Sequence, residues 1–302
     1  MSARAVGRLY VVIAALSWGT SATLARSVFR DAGVPPLQVV ELRVAIATLA
    51  LLLWTLFRDR TLWRIERRDI GYMAALGLLG VTAVQGTYYH AIATLGVGLA
   101  ILLQYLAPSM IVLWDLVRGK RPQPSLILAV VSALIGTACI VRGMGRGGTE
   151  ASPFDWFIGF SSAVVFAFYV LASKRGLARY RPETVLLHTF GFATCFWLVV
   201  IPPTRILAAH YPAELWLRFV LLGLFSTLIP FWFFYAGLRR LTSAEAAIIA
   251  TLEPVVGIVA SAVFLREMLS GVQLIGAVLV IGAAVLATRE HPESASGRAE
   301  SS

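Results

Sequence analysis

The feature that most constrains this chain is a succession of apolar runs separated by short breaks rich in Pro, Gly, Arg and Asp. Most runs are close to the length of about 20 residues that an α-helix needs to cross the hydrocarbon core of a membrane. The composition agrees: 58% of the residues are hydrophobic and only 14% are charged, against about 25% charged residues in a soluble domain. The runs do not alternate apolar and polar residues, as membrane β-strands do. We therefore predict an all-α integral membrane fold.

The pattern predicts ten transmembrane helices. Their approximate bounds are Arg8–Phe29, Pro36–Phe57, Asp69–Ala93, Leu95–Val117, Ser125–Arg142, Phe154–Ser173, Glu183–Ile201, Leu215–Leu238, Thr242–Leu265 and Gly271–Thr288. Residues 289–302 are rich in Ser, Glu and Ala. This composition buries too little apolar surface to order a chain, so we expect a disordered cytoplasmic tail.

The basic side chains give the predicted helices an orientation. The net charge is +10, but the cations lie in short clusters between apolar runs, which favours membrane topology over nucleic-acid binding. With the N-terminus in the cytoplasm, 18 of the 26 Lys and Arg residues fall in cytoplasmic segments, seven fall in outer segments, and Arg43 lies within a span. Cytoplasmic segments carry the excess of Lys and Arg. We therefore expect both termini in the cytoplasm and place the protein in a bacterial inner membrane.

The two halves of the sequence are similar to each other. At a shift of 146 residues the fourth predicted span overlays the ninth, and at a shift of 148 Trp18 overlays Phe166. The matches at the first shift are Tyr89 with Tyr235, Leu95 with Leu241, Ala100 with Ala246, Leu106 with Leu252, Pro108 with Pro254, Val117 with Val263 and Gly136 with Gly282. The alternative is chance similarity between apolar segments. We predict two related five-helix repeats, residues 1–146 and 147–288. Because five is odd, the second repeat enters the membrane inverted, and the repeats enclose a central cavity.

Several short motifs occur in an order that resembles a known family. They are Ser17-Trp18-Gly19, Arg43, Leu106-Ala107-Pro108, Leu252-Glu253-Pro254, Arg266-Glu267, Gly276 and Gly282. In this order, and with the two-half layout, the chain resembles the EamA-type transporters of the drug/metabolite transporter superfamily. The resemblance implies ten helices, a central cavity and the efflux of small organic metabolites such as amino acids or related compounds.

Other functional classes have weaker support in the sequence. A non-transporting receptor or assembly subunit is the first alternative, and an intramembrane lipid-modifying enzyme or protease is the second. The sequence contains no His-Glu-x-x-His and no Gly-x-Ser-x-Gly, and its four histidines are scattered, so we expect no catalytic site and no metal. It also contains no Walker-type loop, so we expect a secondary transporter without a cofactor. The expected partners are a small-molecule substrate and the lipid bilayer, with proton coupling and the oligomeric state left open.

Two ionisable residues inside predicted spans are the first candidates for substrate binding or coupling, because charges within a membrane are costly. Glu253 lies near the middle of the ninth span, beside Pro254, and can carry a proton or form a structural hydrogen bond between helices. Arg43 lies about a third of the way into the second span. It can bind a substrate carboxylate with its fork of donors or lock two helices together. Glu41 is shallower, and we expect it to be in contact with water.

Further candidates are amphipathic residues and prolines. Gln85, Tyr89, Gln104, Trp18 and Tyr235 can line a cavity, although aromatic residues also occur at membrane interfaces. Proline removes a backbone donor and bends a helix. The hinge candidates are Pro108, Pro230 and Pro254.

Overall fold

The computed structural model describes residues 1–30, 33–142, 151–265 and 268–288. These residues are predominantly helical and contain no β-strand. The prediction of an all-α fold is therefore confirmed for the described part of the chain. The predicted tail, 289–302, and the Arg266-Glu267 motif lie outside the described residues.

The helices follow the predicted apolar runs closely. In chain order they are α1 (Ala3–Arg30), α2 (Pro36–Arg58), α3 (Arg67–Leu95), α4 (Val97–Val117), α5 (Pro124–Arg142), α6 (Pro153–Leu177), α7 (Pro182–Val200), α8 (Ala213–Leu238), α9 (243–265) and α10 (Gly271–Ala287). Among the described residues, eight helices, α2 to α9, are long and apolar enough to cross a membrane. Helix α10 is apolar but has 17 residues.

The helix boundaries follow from local sequence. Proline occupies the first turn of α2, α6 and α7, where its fixed φ suits the helix and no N–H is needed. Ser152 begins α6 and Ser270 begins α10, each with a reciprocal capping box. Gly96, with φ of +85°, separates α3 from α4, a conformation that residues with a side chain rarely adopt.

Polar contacts between helix ends form two layers, one at each end of the helix assembly. Arg8 at the start of α1 bonds Glu245 at the start of α9 (2.8 Å) and the carbonyl of Thr288 after α10 (2.7 Å). Lys174 near the end of α6 donates to the carbonyl of Leu241, just before α9 (2.7 Å). We call this layer the basic end. The start of α1 and the end of α10 therefore lie at the same end of the helix assembly.

The other layer joins the remaining helix ends. His90 in the last turns of α3 bonds Asp155 in the first turn of α6 (2.8 Å). Tyr211, in the connection between α7 and α8, donates to Gln38 at the start of α2 (2.6 Å). We call this layer the opposite end. Helix α6 thus runs from the opposite end, where Asp155 bonds His90, to the basic end, where Lys174 lies.

Small residues let α5 and α10 pack closely. A Cβ added to Gly136 would lie 2.7 Å from the carbonyl oxygen of Gly276, and one added to Gly276 would lie 2.6 Å from that of Gly136. Such contacts are typical of helix pairs in membranes. At the 146-residue shift Gly136 is the counterpart of Gly282, but the two do not pack together, since a Cβ on Gly282 would meet nothing within 4 Å. The partner of Gly136 in space is therefore Gly276.

Irregular segments occur at corresponding positions in the two halves. Helix α3 contains a π-helical segment at Leu76–Thr82, and α8 contains one at Leu224–Leu228. Helix α4 is interrupted after Gln104, and α9 is interrupted at Thr251. The sequence predicted α4 and α9 as spans with bends at prolines, and the interruptions lie just before those prolines.

The close contacts of these π-helical segments also correspond. A Cβ on Gly77 in α3 would lie 2.6 Å from the carbonyl oxygen of Thr189 in α7. A Cβ on Gly223, just before the segment in α8, would lie 3.3 Å from the carbonyl oxygen of Arg43 in α2. The 146-residue shift relates the two contacts to each other, because Gly77 corresponds to Gly223 and Arg43 corresponds to Thr189.

Candidate functional site

Arg43 is buried, with 6% of its surface exposed, and is held by three hydrogen bonds. Its Nε donates to Thr227 Oγ1 (2.7 Å), one Nη donates to the carbonyl of Ser226 (2.9 Å), and the other donates to the hydroxyl of Tyr89. The Tyr89 ring also lies under the guanidinium, 5.7 Å from the ring centroid. A guanidinium has five N–H donors. These bonds use three, so two remain without a partner among the described residues.

The backbone of α8 is suited to receive Arg43. Pro230 has no N–H, so it cannot donate to the carbonyl four residues earlier, which is that of Ser226. The π-helical segment over Leu224–Leu228 further changes the local bonding pattern. Arg43 donates to this carbonyl and to the neighbouring hydroxyl of Thr227. The position of Arg43 is therefore fixed by an irregularity in the other half of the chain.

Glu253 lies at the interruption of α9. Its Oε2 accepts a hydrogen bond from the hydroxyl of Tyr105 (2.7 Å), which also lies 3.2 Å from the carbonyl of Ala250. Helix α1 approaches closely, because a Cβ on Gly19 would lie 2.7 Å from the Glu253 carbonyl oxygen. Glu253 therefore contacts α1 and α4, both in the first half of the chain.

Arg43 and Glu253 attract each other electrostatically but do not form an ion pair, which would require a nitrogen-to-oxygen distance of 4.0 Å or less. Tyr88 interacts electrostatically with both, and its ring packs edge-on against Tyr89 (centroids 5.9 Å apart). The site therefore presents a buried cation and a carboxyl group that are near each other and not directly paired.

The other predicted lining residues divide into two groups. Gln85 is buried in α3 and Gln104 is partly buried at the interruption of α4. Trp18 instead packs edge-on against Phe231, with ring centroids 5.3 Å apart. Tyr235 is fully buried and accepts a hydrogen bond from Ser173 (3.0 Å). The structure thus brings Tyr89 together with Arg43, and it places Trp18 and Tyr235 within the packed aromatic core.

The three predicted hinge prolines all lie next to helix irregularities. Pro108 lies in the first turn of the second part of α4, Pro254 lies in the first turn of the second part of α9, and Pro230 follows the π-helical segment of α8. Each removes a backbone donor at a point where the regular helical pattern is already interrupted. Their role in movement stays a prediction.

The expectation for Glu41 was wrong. This residue is 1% exposed, and its Oε2 has no hydrogen-bond partner among the described residues. Ile206, between α7 and α8, and Leu215, at the start of α8, cluster with Val39 and Leu42 near the start of α2. Glu41 lies in this packed stretch of α2, so a position that depth alone predicted to be wet is buried.

The sequence marked Tyr105 only as one of the amphipathic residues that can line a cavity, and it did not single out Ser226, Thr227 or Trp197. Tyr105, Ser226 and Thr227 hold the two charged candidates, and Trp197 packs beside Tyr89 with its indole N–H unpartnered among the described residues. A signal was present for Ser226, which lies four residues before Pro230. The contacts of Tyr105 and Trp197 depend on how helices distant in sequence pack, so no local pattern marks them.

A charged residue at the basic end, Asp59, links the ends of two helices. Asp59, between α2 and the short helix Arg60–Trp63, accepts hydrogen bonds from Thr61, and Arg181 lies 3.1 Å away. The bonds from Thr61, and to a smaller extent Arg181, lower the pKa of Asp59 below its ordinary value. This carboxylate therefore stays charged near neutral pH and joins the end of α2 to the start of α7.

No group of three or more metal-ligating side chains occurs within the described residues.

Successive apolar helices around a buried, polar site define a multi-pass membrane transporter. The chain belongs to the EamA-like transporter family, whose sequence profile matches residues 5–142 and 156–289. This confirms the resemblance seen in the sequence motifs.

Relatives across nearly the whole chain carry transporter names. The inner membrane transporter YicL of Salmonella typhimurium, itself uncharacterized, is 25% identical over 285 residues, which cover 93% of this chain and 94% of YicL. The threonine/homoserine exporter RhtA of Escherichia coli K12 is 26% identical over 289 residues, with 93% and 90% covered. The probable terminal-alkyne amino-acid exporter of Streptantibioticus cattleyicolor is 28% identical over 280 residues, with 92% of each chain covered.

A solved structure supports the fold. A crystal structure of a protein 24% identical to this chain superimposes with a TM-score of 0.77, covering 93% of this chain and 96% of the other. At this identity the likeness concerns the arrangement of helices alone.

Proposed function

We propose that this transporter is a secondary exporter of amino acids or related zwitterionic metabolites and works by alternating access. The observation that carries the proposal is the unpaired arrangement of Arg43 and Glu253. The two unused N–H donors of Arg43 suit a substrate carboxylate, and Glu253 suits an ammonium group. Two relatives support the same chemistry by name, since one is a threonine/homoserine exporter and the other a probable terminal-alkyne amino-acid exporter.

The architecture that we propose is ten transmembrane helices in two inverted repeats around a central cavity. The family profile matches twice, over residues 5–142 and 156–289. The paired π-helical segments, the paired interruptions of α4 and α9, and the paired glycine contacts all support this arrangement. Inverted repeats allow one half to rock against the other around a site near the membrane midplane.

The proposed orientation places the basic end in the cytoplasm of a bacterial cell, at the inner membrane. The distribution of Lys and Arg supports it, and so does the location of the start of α1 and the end of α10 in the same layer. In this orientation the inner layer is held together by bonds such as Arg8 to Glu245 and Lys174 to Leu241.

Counterflow in proteoliposomes tests the proposed substrate class. Vesicles containing the purified protein are loaded with unlabelled L-threonine, and the entry of labelled threonine, homoserine, a nucleoside and an amine without a carboxylate is compared. We expect entry of the amino acids only, because the site offers partners for both charges. Entry of the amine or nucleoside alone would contradict the amino-acid assignment, and absence of any flux would favour the receptor alternative.

A variant separates proton coupling from exchange. Glu253→Gln is expected to abolish threonine accumulation driven by a pH gradient, because an amide does not carry a proton. Glu214→Gln is the matched control, since Glu214 is an exposed residue whose side chain is 73% accessible and bonds Arg218. Unchanged accumulation with Glu253→Gln would exclude Glu253 as the coupling group.

A further inference from the structure

The hydroxyl of Tyr105 lies between two acceptors on α9. It is 2.7 Å from Glu253 Oε2 and 3.2 Å from the carbonyl oxygen of Ala250. A phenol carries one hydrogen, so it donates fully to one acceptor at a time. Tyr105 therefore has two alternative acceptors and cannot donate fully to both at once.

The Ala250 carbonyl needs a donor from outside its own helix. In a regular α-helix it would accept from the N–H of residue 254, but Pro254 has none. Ala250 is fully buried, and Thr251 interrupts the helix directly after it. A buried carbonyl without a partner is costly. Among the described residues, the Tyr105 hydroxyl is the side-chain donor that reaches it.

Tyr105 itself lies at an interruption. It follows the first part of α4, which ends at Gln104, and Leu106 separates it from the second part, which begins at Ala107. Its ring is buried, with 7% of the residue exposed. Tyr105 thus joins the interruption of α4 to the interruption of α9, and the two interrupted helices belong to different halves of the chain.

We infer that Tyr105 is a positioning residue that links the charge on Glu253 to the bend of α9. The inference rests on the proposed function only for the identity of the ligand that Glu253 binds. With an ionised carboxylate, the Tyr105 hydrogen is directed to Glu253. When Glu253 gains a proton, its own O–H can donate to the Tyr105 oxygen, and the Tyr105 hydrogen turns to Ala250. A ligand ammonium that bonds Glu253 competes for the carboxylate and has the same effect on Tyr105.

The surroundings of Glu253 determine what else responds to its charge. Arg43 on α2 and Tyr88 on α3 interact with it electrostatically, and Tyr105 approaches from α4. Helix α1 contributes a backbone contact at Gly19. Arg43 is the positive group in this set, so a neutral Glu253 also loses an attraction to α2. The variants must therefore separate the contribution of Tyr105 from that of Arg43.

A distance measurement between spin labels tests the link directly. Cysteines replace Met268, after α9, and Phe154, at the start of α6, because both are exposed, in a background where Cys139 and Cys195 are Ser. The distance distribution is recorded on a step from about pH 8 to about pH 5, a range that includes titration of buried carboxyl groups. It is recorded again with saturating L-threonine.

We expect the pH step and the threonine each to shift the distance distribution in the parent protein. Neither should shift it in Tyr105→Phe, which keeps the buried ring and removes only the hydroxyl. We also expect Tyr105→Phe to lower threonine turnover about tenfold while changing threonine affinity less than about threefold, since one charge-assisted hydrogen bond is lost away from the ligand. A purely structural role would instead lower thermal stability and leave the pH-dependent shift in place. That result would overturn the inference.

A double variant provides a second, independent criterion. If Tyr105 acts through Glu253, adding Tyr105→Phe to Glu253→Gln should produce no further loss of exchange, because residues in one network are not additive. Additive losses would overturn the link. The pH step needs no substrate, so a shift that depends on Tyr105 supports the inference even if threonine is not transported. A missing threonine flux contradicts only the proposed function.

Discussion

Thr48 in α2 and Thr194 in α7 share a hydrogen bond between their hydroxyl oxygens, 2.7 Å apart, although 146 residues separate them. The separation equals the shift at which the two halves of the sequence overlay. A residue that contacts its own counterpart lies on or near the axis that relates two repeats. This bond therefore marks the place where the proposed inverted repeats meet, along the α2–α7 contact.

Cross-linking tests that contact. Replacing Thr48 and Thr194 with cysteine, in a background without Cys139 and Cys195, is expected to give a disulfide under mild oxidation because the two side chains already touch. A pair of Thr48→Cys with Val199→Cys is the control, since Val199 is on α7 but 82% exposed. Altered electrophoretic mobility after cleavage between the halves reports the bond. Equal cross-linking of both pairs would contradict a specific contact.

A substitution at Arg43 tests substrate recognition. The planar fork of Arg43 bonds Thr227 and Ser226 and has two further N–H donors. Arg43→Lys keeps the charge but loses this fork. We expect affinity for L-threonine to fall about 10-fold to 100-fold, as for the loss of hydrogen bonds to a charged group. Binding is measured by titration of the purified protein, with the exposed Arg60→Lys as control. Unchanged affinity would mean that Arg43 locks α2 to α8 and does not contact substrate.

The sequence was sufficient for the all-α fold and the family, because apolar length and short motifs are local properties, while the roles of Glu253 and Pro254 stay predictions. It was not sufficient for Glu41, which is buried in a part of α2 where the neighbouring Val39 and Leu42 pack against residues more than 150 positions away along the chain. It also named Tyr235 with the cavity candidates as an amphipathic aromatic residue, and Tyr235 aligns with Tyr89 at the 146-residue shift. The two tyrosines differ in their partners, since Tyr89 meets Arg43 and Tyr235 meets Ser173. Symmetry in the sequence therefore predicted equivalent positions but not equivalent roles.

A pair of glycine substitutions compares a packed position with an open one. Gly136→Ala places a Cβ 2.7 Å from the backbone of Gly276, which requires α5 and α10 to separate, whereas Gly282→Ala meets nothing within 4 Å. We expect Gly136→Ala to lower the free energy of unfolding by about 1–3 kcal/mol, as overpacking does, and Gly282→Ala to have little effect. Thermal unfolding in detergent gives the comparison. Equal effects at the two positions would contradict the α5–α10 contact.

Labelling of single cysteines in intact cells tests the proposed orientation. Arg60 lies between α2 and α3 and His210 between α7 and α8, and both are exposed. In the background without native cysteines, we expect a membrane-impermeant maleimide to react with His210→Cys in intact cells. Arg60→Cys should react only after the membrane is opened, because the basic end faces the cytoplasm. If both cysteines react equally in intact cells, the connections after α2 and after α7 lie on the same side of the membrane. If only Arg60→Cys reacts in intact cells, the orientation is the reverse of the proposed one. Either result would contradict the proposed orientation, in which the layer that contains Arg8 and Glu245 faces the cytoplasm.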